Sequence, residues 1–179
     1  MTVNSISFSE PSKVNMNYLF EAVTKLYTDS VFGGGSYGGR YDFSEFRTSD
    51  NKVIVLYGRF TFELTDGTFI ISSGSIWSMG LLNKPRYMLQ PGEQQIRYFD
   101  AEFAEPIDYF DLKDMVLENP GGPGALESTF LGMGWQINGS AKNENVRDGP
   151  LSESGNAMSL TGNDSAFLYK GNDRFEAGA

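Results

Sequence analysis

The spacing of apolar residues near the N-terminus changes from the period of a strand to that of a helix. Residues 3–8 alternate between two sets of side chains, which is typical of a short β-strand, and Pro11 ends this pattern. From residue 16 onward, apolar side chains recur every three or four positions, as on an amphipathic helix: Met16, Leu19, Phe20, Val23, Leu26 and Tyr27. Asn15 is the predicted N-cap, and we expect the apolar stripe to face the core.

Strand-like runs rich in β-branched and aromatic residues dominate the next part of the chain. They cover residues 40–46, 52–57, 60–64, 68–72, 74–82 and 95–103. Asp66-Gly67 supplies the two positive-φ positions of a type I′ turn, so the runs on either side of it predict a β-hairpin. The preceding glycine-rich segment, residues 31–40, is predicted to be a flexible loop.

The second half of the chain combines short helical segments with one more strand. Asp108 is a predicted helix N-cap, a second short helix is expected near residues 125–133, and residues 135–137 indicate a strand. After Gly139 the chain becomes polar and is predicted to be a connector.

Composition excludes several kinds of chemistry. The chain contains no histidine and no cysteine, which removes Ser-His-Asp and thiolate catalysis, histidine-zinc sites and disulfides. The net charge of −9 disfavours nucleic acid as a partner. No apolar run has the length of a transmembrane helix, so no membrane insertion is expected. Residues 1–5 lack the basic region of a cleavable signal peptide.

An enzyme would have to use carboxylates, tyrosines or hydroxyls, and the acidic residues 100–114 are the densest group of candidates. If residues 96–103 form a strand, Asp100 and Glu102 lie on the same face, and paired carboxylates can hydrolyse glycosidic bonds. A solvated acidic edge that protects the strand from pairing is the alternative interpretation, and it is the one we favour. We therefore expect no enzyme, with a carboxylate-based hydrolase as the second alternative function.

A short motif recurs at the C-terminal end. Gly162-Asn163-Asp164 is repeated nine residues later as Gly171-Asn172-Asp173, and Phe167 and Phe175 follow the two copies. This pattern resembles the calcium-binding nonapeptide of RTX proteins, whose repeats stack into a parallel β-roll.

The RTX resemblance implies calcium ligands at four positions, because oxygen donors suit this ion: Asn163, Asp164, Asn172 and Asp173. Lys170 departs from the pattern, since the family prefers glycine there. Two copies alone should bind calcium weakly or not at all, so we expect further repeats after Ala179. The resemblance also implies type I secretion and an extracellular location.

Most of the remaining chain resembles the bacterial haemophores of the HasA type. The similar stretches are SISF, NYLFEAV, FGGGSYGGRYDF, NKVIVLYGRFTF, GSIWSMGLL and PGALESTFLGMGWQINGSAKNENV, which occur in the family's order between residues 5 and 146. The resemblance implies an α+β fold, in which one N-terminal helix and two short C-terminal helices pack on one face of a twisted antiparallel sheet.

The haem ligands of that family are missing at the matching positions. The family holds haem iron with a histidine on the loop after the first helix and a tyrosine on a second loop, and another histidine supports that tyrosine. The first loop falls at residues 30–39, which contain no histidine, and Phe62 occupies the tyrosine position. The second loop is reduced to the Asp66-Gly67 turn. The other potential iron donors are Tyr37, Tyr41, Tyr57, Met79 and Met88.

These observations predict three segments: a haemophore-like domain at residues 1–146, a polar connector at 147–161, and the start of RTX-like repeats at 162–179. The expected function is a noncatalytic extracellular domain that binds a small molecule or a protein, or has a structural role. The first alternative is a divergent haemophore that binds haem through a tyrosine, chiefly Tyr37, or by apolar stacking alone.

Overall fold

A computed structural model describes nine segments of the chain. They are residues 4–8, 17–36, 42–118, 126, 129–130, 133–138, 145–147, 165–167 and 174–176. The predicted N-cap Asn15 and most of the second C-terminal helix predicted near residues 125–133 lie outside the described residues.

The described residues form a mixed α+β structure. The helices are α1 (Asn17–Thr28) and α2 (Tyr109–Leu117), and a short 3-10 helix spans Arg86–Met88. The strands are β1 (Asn4–Phe8), β2 (Ser30–Ser36), β3 (Asp42–Thr48), β4 (Val53–Thr65), β5 (Thr68–Leu82), β6 (Arg97–Asp108), β7 (Trp135–Asn138), β8 (Asn145–Arg147), β9 (Ser165–Phe167) and β10 (Arg174–Glu176).

The main sheet is mixed, so the prediction of an antiparallel sheet is wrong in part. Its strand order is β2-β3-β4-β5-β6-β1-β7-β9, and the pairs β1–β7 and β7–β9 are parallel. The haemophore resemblance implies an antiparallel sheet, and this arrangement holds for β2–β5, where short turns oblige consecutive strands to run antiparallel. No such turn joins β1 to β7, because more than a hundred residues separate them, so local sequence does not set their direction.

The predicted hairpin is confirmed as the pair β4–β5. Asp66 has a φ of 50° and Gly67 a φ of 77°, as a type I′ turn requires. The runs predicted at 52–57 and 60–64 form one continuous strand, whose register shifts between Tyr57 and Gly58 and between Thr61 and Phe62. These β-bulges allow one long strand to follow the twist of the sheet.

The glycine-rich segment is a strand over part of its length, which corrects the prediction of a loop at residues 31–40. Ser30–Ser36 forms β2 and pairs antiparallel with β3, with a register shift between Phe32 and Gly34. Tertiary pairing overrides the low strand propensity of glycine here. Residues 37–40 lie outside the described part of the chain.

The core lies between the helices and one face of the sheet. The α1 stripe is buried at four of the predicted positions: Leu19, Phe20, Val23 and Leu26. These side chains share a core cluster with alternate residues of β4, β5 and β6: Ile54, Leu56, Met79, Leu81, Phe99 and Ala101. We call this the inner face of the sheet, and the opposite one the outer face.

Asp108 caps α2 as predicted. Its carboxylate accepts hydrogen bonds from the backbone amides of Phe110 and Asp111, at 2.8 and 3.2 Å. Leu112 of α2 is buried in the core cluster. The strand predicted at residues 135–137 is confirmed as β7, with Trp135 and Ile137 buried.

An ion-pair cluster joins α1 to the turn between β3 and β4. Lys25 lies 2.8 Å from both Glu21 and Asp50, and Lys52 lies 2.6 Å from Glu21 and 3.3 Å from Asp50. Partial burial alone would raise the pKa of Glu21 and Asp50. Hydrogen bonds and charge from the two lysines outweigh that effect and hold the pKa of both carboxyl groups below their ordinary values.

This cluster predicts a specific loss of stability in acid. A carboxylate with a lowered pKa stabilises the folded chain above its unfolded-state pKa of about 4, and this contribution disappears as the pH falls through the folded-state value. We expect Asp50→Asn to lose less of its unfolding free energy than the wild type between about pH 5 and pH 2. Urea denaturation at each pH measures this. Glu105→Gln, at an exposed carboxylate outside the cluster, is the control. Equal pH slopes for wild type and Asp50→Asn would contradict the prediction.

Candidate functional site

An open groove lies beside the distal end of the β4–β5 hairpin. Its volume is about 660 Å³, and its walls come from the start of β2, from β5, and from the first turn of α2. We call it the hairpin groove. The principal lining residues are Val31, Phe32, Phe69, Ile70, Tyr109 and Phe110.

The walls of the hairpin groove are largely aromatic and aliphatic. The Phe32 ring packs against Phe46 and Phe62, with centroid distances of 5.6 and 5.5 Å. On the rim, Val31 is 63% exposed, Phe69 53% and Ile70 44%. Large apolar side chains exposed together around a concave surface are typical of a binding site.

The two segments that the resemblance assigns to the haem ligands come together in the structure. Phe32 lies in the segment expected to match the first loop, Phe62 lies at the expected tyrosine position, and their rings are in contact. Neither side chain has an atom that could ligate iron. Both positions therefore contribute apolar surface instead of a metal ligand.

The other predicted donors do not line this groove in the described part of the chain. Tyr57 faces a separate pocket on the outer face of the sheet. Met79 is fully buried in the core, and Met88 lies in the 3-10 helix. Tyr37 and Tyr41 lie outside the described residues, as do the predicted calcium ligands Asn163, Asp164, Asn172 and Asp173.

Tyr109, which lines the groove, and Tyr27, which packs against it, were not predicted as site residues. The Tyr27 hydroxyl donates a hydrogen bond to the backbone carbonyl of Tyr109 at 2.8 Å, and the two rings pack edge to face at 5.1 Å. Tyr27 belongs to the helical stripe recognised in the sequence, but its partner is 82 residues away and only the fold brings them together.

Burial keeps both phenols protonated. It raises the pKa of Tyr109 to about 12, and it raises that of Tyr27 further, with the neighbouring Tyr109 and Asp108 adding to the effect. Iron(III) is bound by tyrosinate, so a phenol that resists ionisation is a poor ligand. The described walls of the groove therefore suit an apolar ligand better than a coordinated metal.

The outer face of the sheet carries a second pocket, of about 640 Å³, which we call the outer-face pocket. It is lined by Ser7, Tyr57, Trp77, Ser78, Arg97, Asp100, Glu102 and Phe103. Asp100 and Glu102 thus share a face of β6, as the sequence predicts. The Asp100 carboxylate accepts a hydrogen bond from Arg97 at 2.5 Å, which ties this carboxylate to a cation.

In the segments that the structure describes, no group of three or more acidic, histidine or cysteine side chains is placed to hold a metal ion. No helix in those segments is long and apolar enough to cross a membrane.

The chain matches no protein-family model, and comparisons with curated proteins and with solved structures find no significant match. The haemophore and RTX resemblances therefore remain predictions from the sequence.

The buried tyrosine pair predicts a loss of stability in alkali. Phenols of the unfolded chain ionise near pH 10, whereas the folded pKa values are higher, so stability is complete below about pH 10 and falls above it. We expect Tyr27→Phe to be less stable at neutral pH by about 1 kcal/mol, because the hydrogen bond to Tyr109 is lost. The variant should also lose less stability than wild type between about pH 9 and pH 11.

Chemical denaturation across this range, together with phenolate absorbance, measures both effects. Tyr87→Phe is the control, since the Tyr87 ring is 70% exposed. Identical alkaline slopes for wild type and Tyr27→Phe would show that Tyr27 ionises equally in both states.

Proposed function

We propose that this chain is a noncatalytic binding domain of a secreted RTX-type protein, built on a haemophore-like scaffold from which the haem ligands are missing. The hairpin groove is its ligand site. One observation carries the proposal: Phe32, in the segment expected to match the first haem loop, lines the groove, and its ring packs at 5.5 Å against Phe62, at the expected tyrosine position.

The arrangement of helices and sheet supports the scaffold part of the proposal. The similar stretches SISF, NYLFEAV, NKVIVLYGRFTF and GSIWSMGLL lie in β1, α1, β4 and β5, apart from the first two residues of the third stretch. Leu19 of α1 and Leu112 of α2 belong to the same core cluster as the inner face of the sheet. Packing of both helices against one face of the sheet supports a haemophore-like scaffold.

The chemistry of the groove supports binding over catalysis. Among the described residues that line it, the titratable ones are Glu63, Tyr109 and Lys113. Burial keeps the Tyr109 phenol protonated, and the Lys113 ammonium lies 5.3 Å from the Phe110 ring. An apolar ligand with one anionic group suits this combination, since Lys113 can pair with the anion at the rim.

The placement of the last strands supports the RTX part of the proposal. β9 and β10 each begin directly after a Gly-Asn-Asp triplet, at Ser165 and Arg174. β9 pairs in parallel with β7, and β10 pairs in parallel with β8 in a second sheet. Successive strands that alternate between two parallel sheets form a β-roll, in which the triplets supply calcium ligands between coils. The proposal includes type I secretion to the cell exterior.

A second candidate function is a divergent haemophore that binds haem by stacking. The observation that favours it is the cluster of Phe32, Phe46 and Phe62 rings beside Lys113, because a porphyrin offers a flat apolar ring and carboxylates. The haem iron would then have no ligand among the described residues of the groove walls.

Porphyrin titrations separate the two candidates, because only the second predicts that the hairpin groove binds a porphyrin. If it is correct, metal-free protoporphyrin IX should bind about as tightly as hemin, because stacking does not involve the iron. Phe69→Ser should weaken both by about tenfold, through lost apolar contact. Titrations followed by porphyrin absorbance and fluorescence measure the affinities.

Leu117→Ser is the matched control, because Leu117 is 49% exposed but lies outside the groove. Hemin that binds more than about tenfold tighter than the metal-free ring, with a tyrosinate spectrum, would assign a coordinating haemophore. If the wild type bound neither porphyrin, the groove could not be a porphyrin site.

The roll proposal predicts a weak response specific to calcium. At about 1 mM, the range of extracellular calcium modules, calcium should slow amide exchange in β9 and β10, while magnesium should not. Asp164→Ala and Asp173→Ala should abolish the protection, and Glu105→Gln should retain it. Equal protection by both ions, or its survival in the aspartate variants, would contradict calcium binding by the triplets.

A further inference from the structure

Trp77 lies in a β-bulge at the centre of the sheet. On the β4 side, Ile76 is opposite Gly58 and Ser78 is opposite Tyr57. On the β6 side, the register jumps from Ile107 to Glu102 across the same position. A bulge re-aims the side chain it carries, and such bulges are frequent next to functional sites. Here Trp77 lines the outer-face pocket.

Polar groups from three other strands converge on the same pocket. Tyr57 of β4 adds a second aromatic ring, and Ser7 of β1 adds a hydroxyl. Asp100 and Glu102 of β6 add two carboxylates. The volume of about 640 Å³ lies within the range of small-molecule sites. Two aromatic rings beside hydroxyl, carboxylate and guanidinium groups form a surface that is partly apolar and rich in hydrogen-bonding groups.

The charges around the pocket are balanced. The Arg97 guanidinium is paired with Asp100, and the Arg59 guanidinium carbon lies 6.0 Å from the Trp77 ring centroid. Because Arg59 already makes a cation–π contact with the Trp77 ring, a cationic ligand would gain little further attraction to that ring. Arg97 is already paired and the Glu102 carboxylate also lines the pocket, which disfavours an anionic ligand there.

The Asp100 carboxylate is held in place by a close approach of the neighbouring strand. Gly80 of β5 is opposite Asp100, and a Cβ atom at Gly80 would lie 3.0 Å from Asp100 Oδ1 and 3.2 Å from the Phe99 carbonyl oxygen. Glycine therefore leaves room for this carboxylate to lie across the sheet beside Arg97. Asp100 and Arg97 are therefore already positioned in the pocket when no ligand is bound.

We propose that the outer-face pocket binds a neutral oligosaccharide, with one sugar ring stacked on Trp77 and its hydroxyl groups bonded to Glu102, Asp100 and Arg97. A sugar ring matches this surface because its C–H faces are apolar and its edge carries hydroxyls that both donate and accept hydrogen bonds. Binding breaks no covalent bond. The site is separate from the hairpin groove, so it stands or falls independently of the proposed function.

Tryptophan fluorescence of the full 179-residue chain tests this site. The chain has two tryptophans, and Trp135 is fully buried, with its indole N–H bonded to the Phe130 carbonyl oxygen at 2.6 Å, so Trp77 reports on the pocket. The probes are cellohexaose, maltohexaose, laminarihexaose, xylohexaose and chitohexaose, with anionic hexagalacturonate as the comparison. We expect at least one neutral hexaose to shift the emission with a Kd of about 1 mM or tighter, and hexagalacturonate to have no effect.

Calorimetry on variants assigns the binding to the pocket. Trp77→Ala should weaken it by about tenfold or more. Glu102→Gln changes an exposed side chain without disturbing the sheet and should weaken binding several-fold. Phe69→Ser in the hairpin groove should bind as the wild type does.

Four results would overturn the proposal: no emission change with any neutral hexaose at about 10 mM, wild-type affinity in both pocket variants, equal binding of hexagalacturonate, or release of new reducing ends. Loss of porphyrin binding in Phe69→Ser with intact saccharide binding would confirm that the two sites are separate.

Discussion

Burial of the inner face of the sheet under α1 is the interaction on which the rest of the structure depends. Leu19 and Val23 of the helix and Ile54, Met79 and Phe99 of the sheet are almost completely buried in one cluster. Removal of this apolar surface from water is the main driving force for assembling helix and sheet. The ion pairs between α1 and the β3–β4 turn help to orient the helix relative to the sheet.

The long hairpin extends beyond the cover that the helices provide. β4 is buried at its Val53 end and exposed at its Thr65 end, and β5 follows the reverse order. At the exposed end, Leu64, Phe69 and Ile70 are large apolar side chains open to solvent. The hairpin groove therefore follows from a mismatch between the lengths of the strands and of the helices that cover them, and this mismatch leaves apolar surface available for a ligand.

The two faces of the sheet have different chemical character. On the inner face, Tyr27 and Tyr109 sit among apolar side chains that keep their phenols neutral, which opposes iron binding. On the outer face, the Arg97–Asp100 pair and the Trp77 ring combine charge, hydrogen bonding and aromatic surface. An apolar ligand in the hairpin groove and a hydroxyl-rich ligand in the outer-face pocket would be recognised by unrelated forces, so one chain can hold both without competition.

The sequence by itself determined the local features: the α1 stripe, the Asp66-Gly67 turn, the Asp108 cap, and the shared face of Asp100 and Glu102. Each depends on neighbouring residues, whose spacing and backbone preferences are visible in the chain. The absence of histidine and cysteine from the sequence likewise excluded imidazole and thiolate catalysis.

Only the tertiary structure decided the rest. The strand at Ser30–Ser36, the parallel pair β1–β7, the Tyr27–Tyr109 contact and the bulge at Trp77 all join segments that are distant in the sequence or depend on the register between them. Their free energies come from packing and pairing between those segments, and no local pattern records which segments meet.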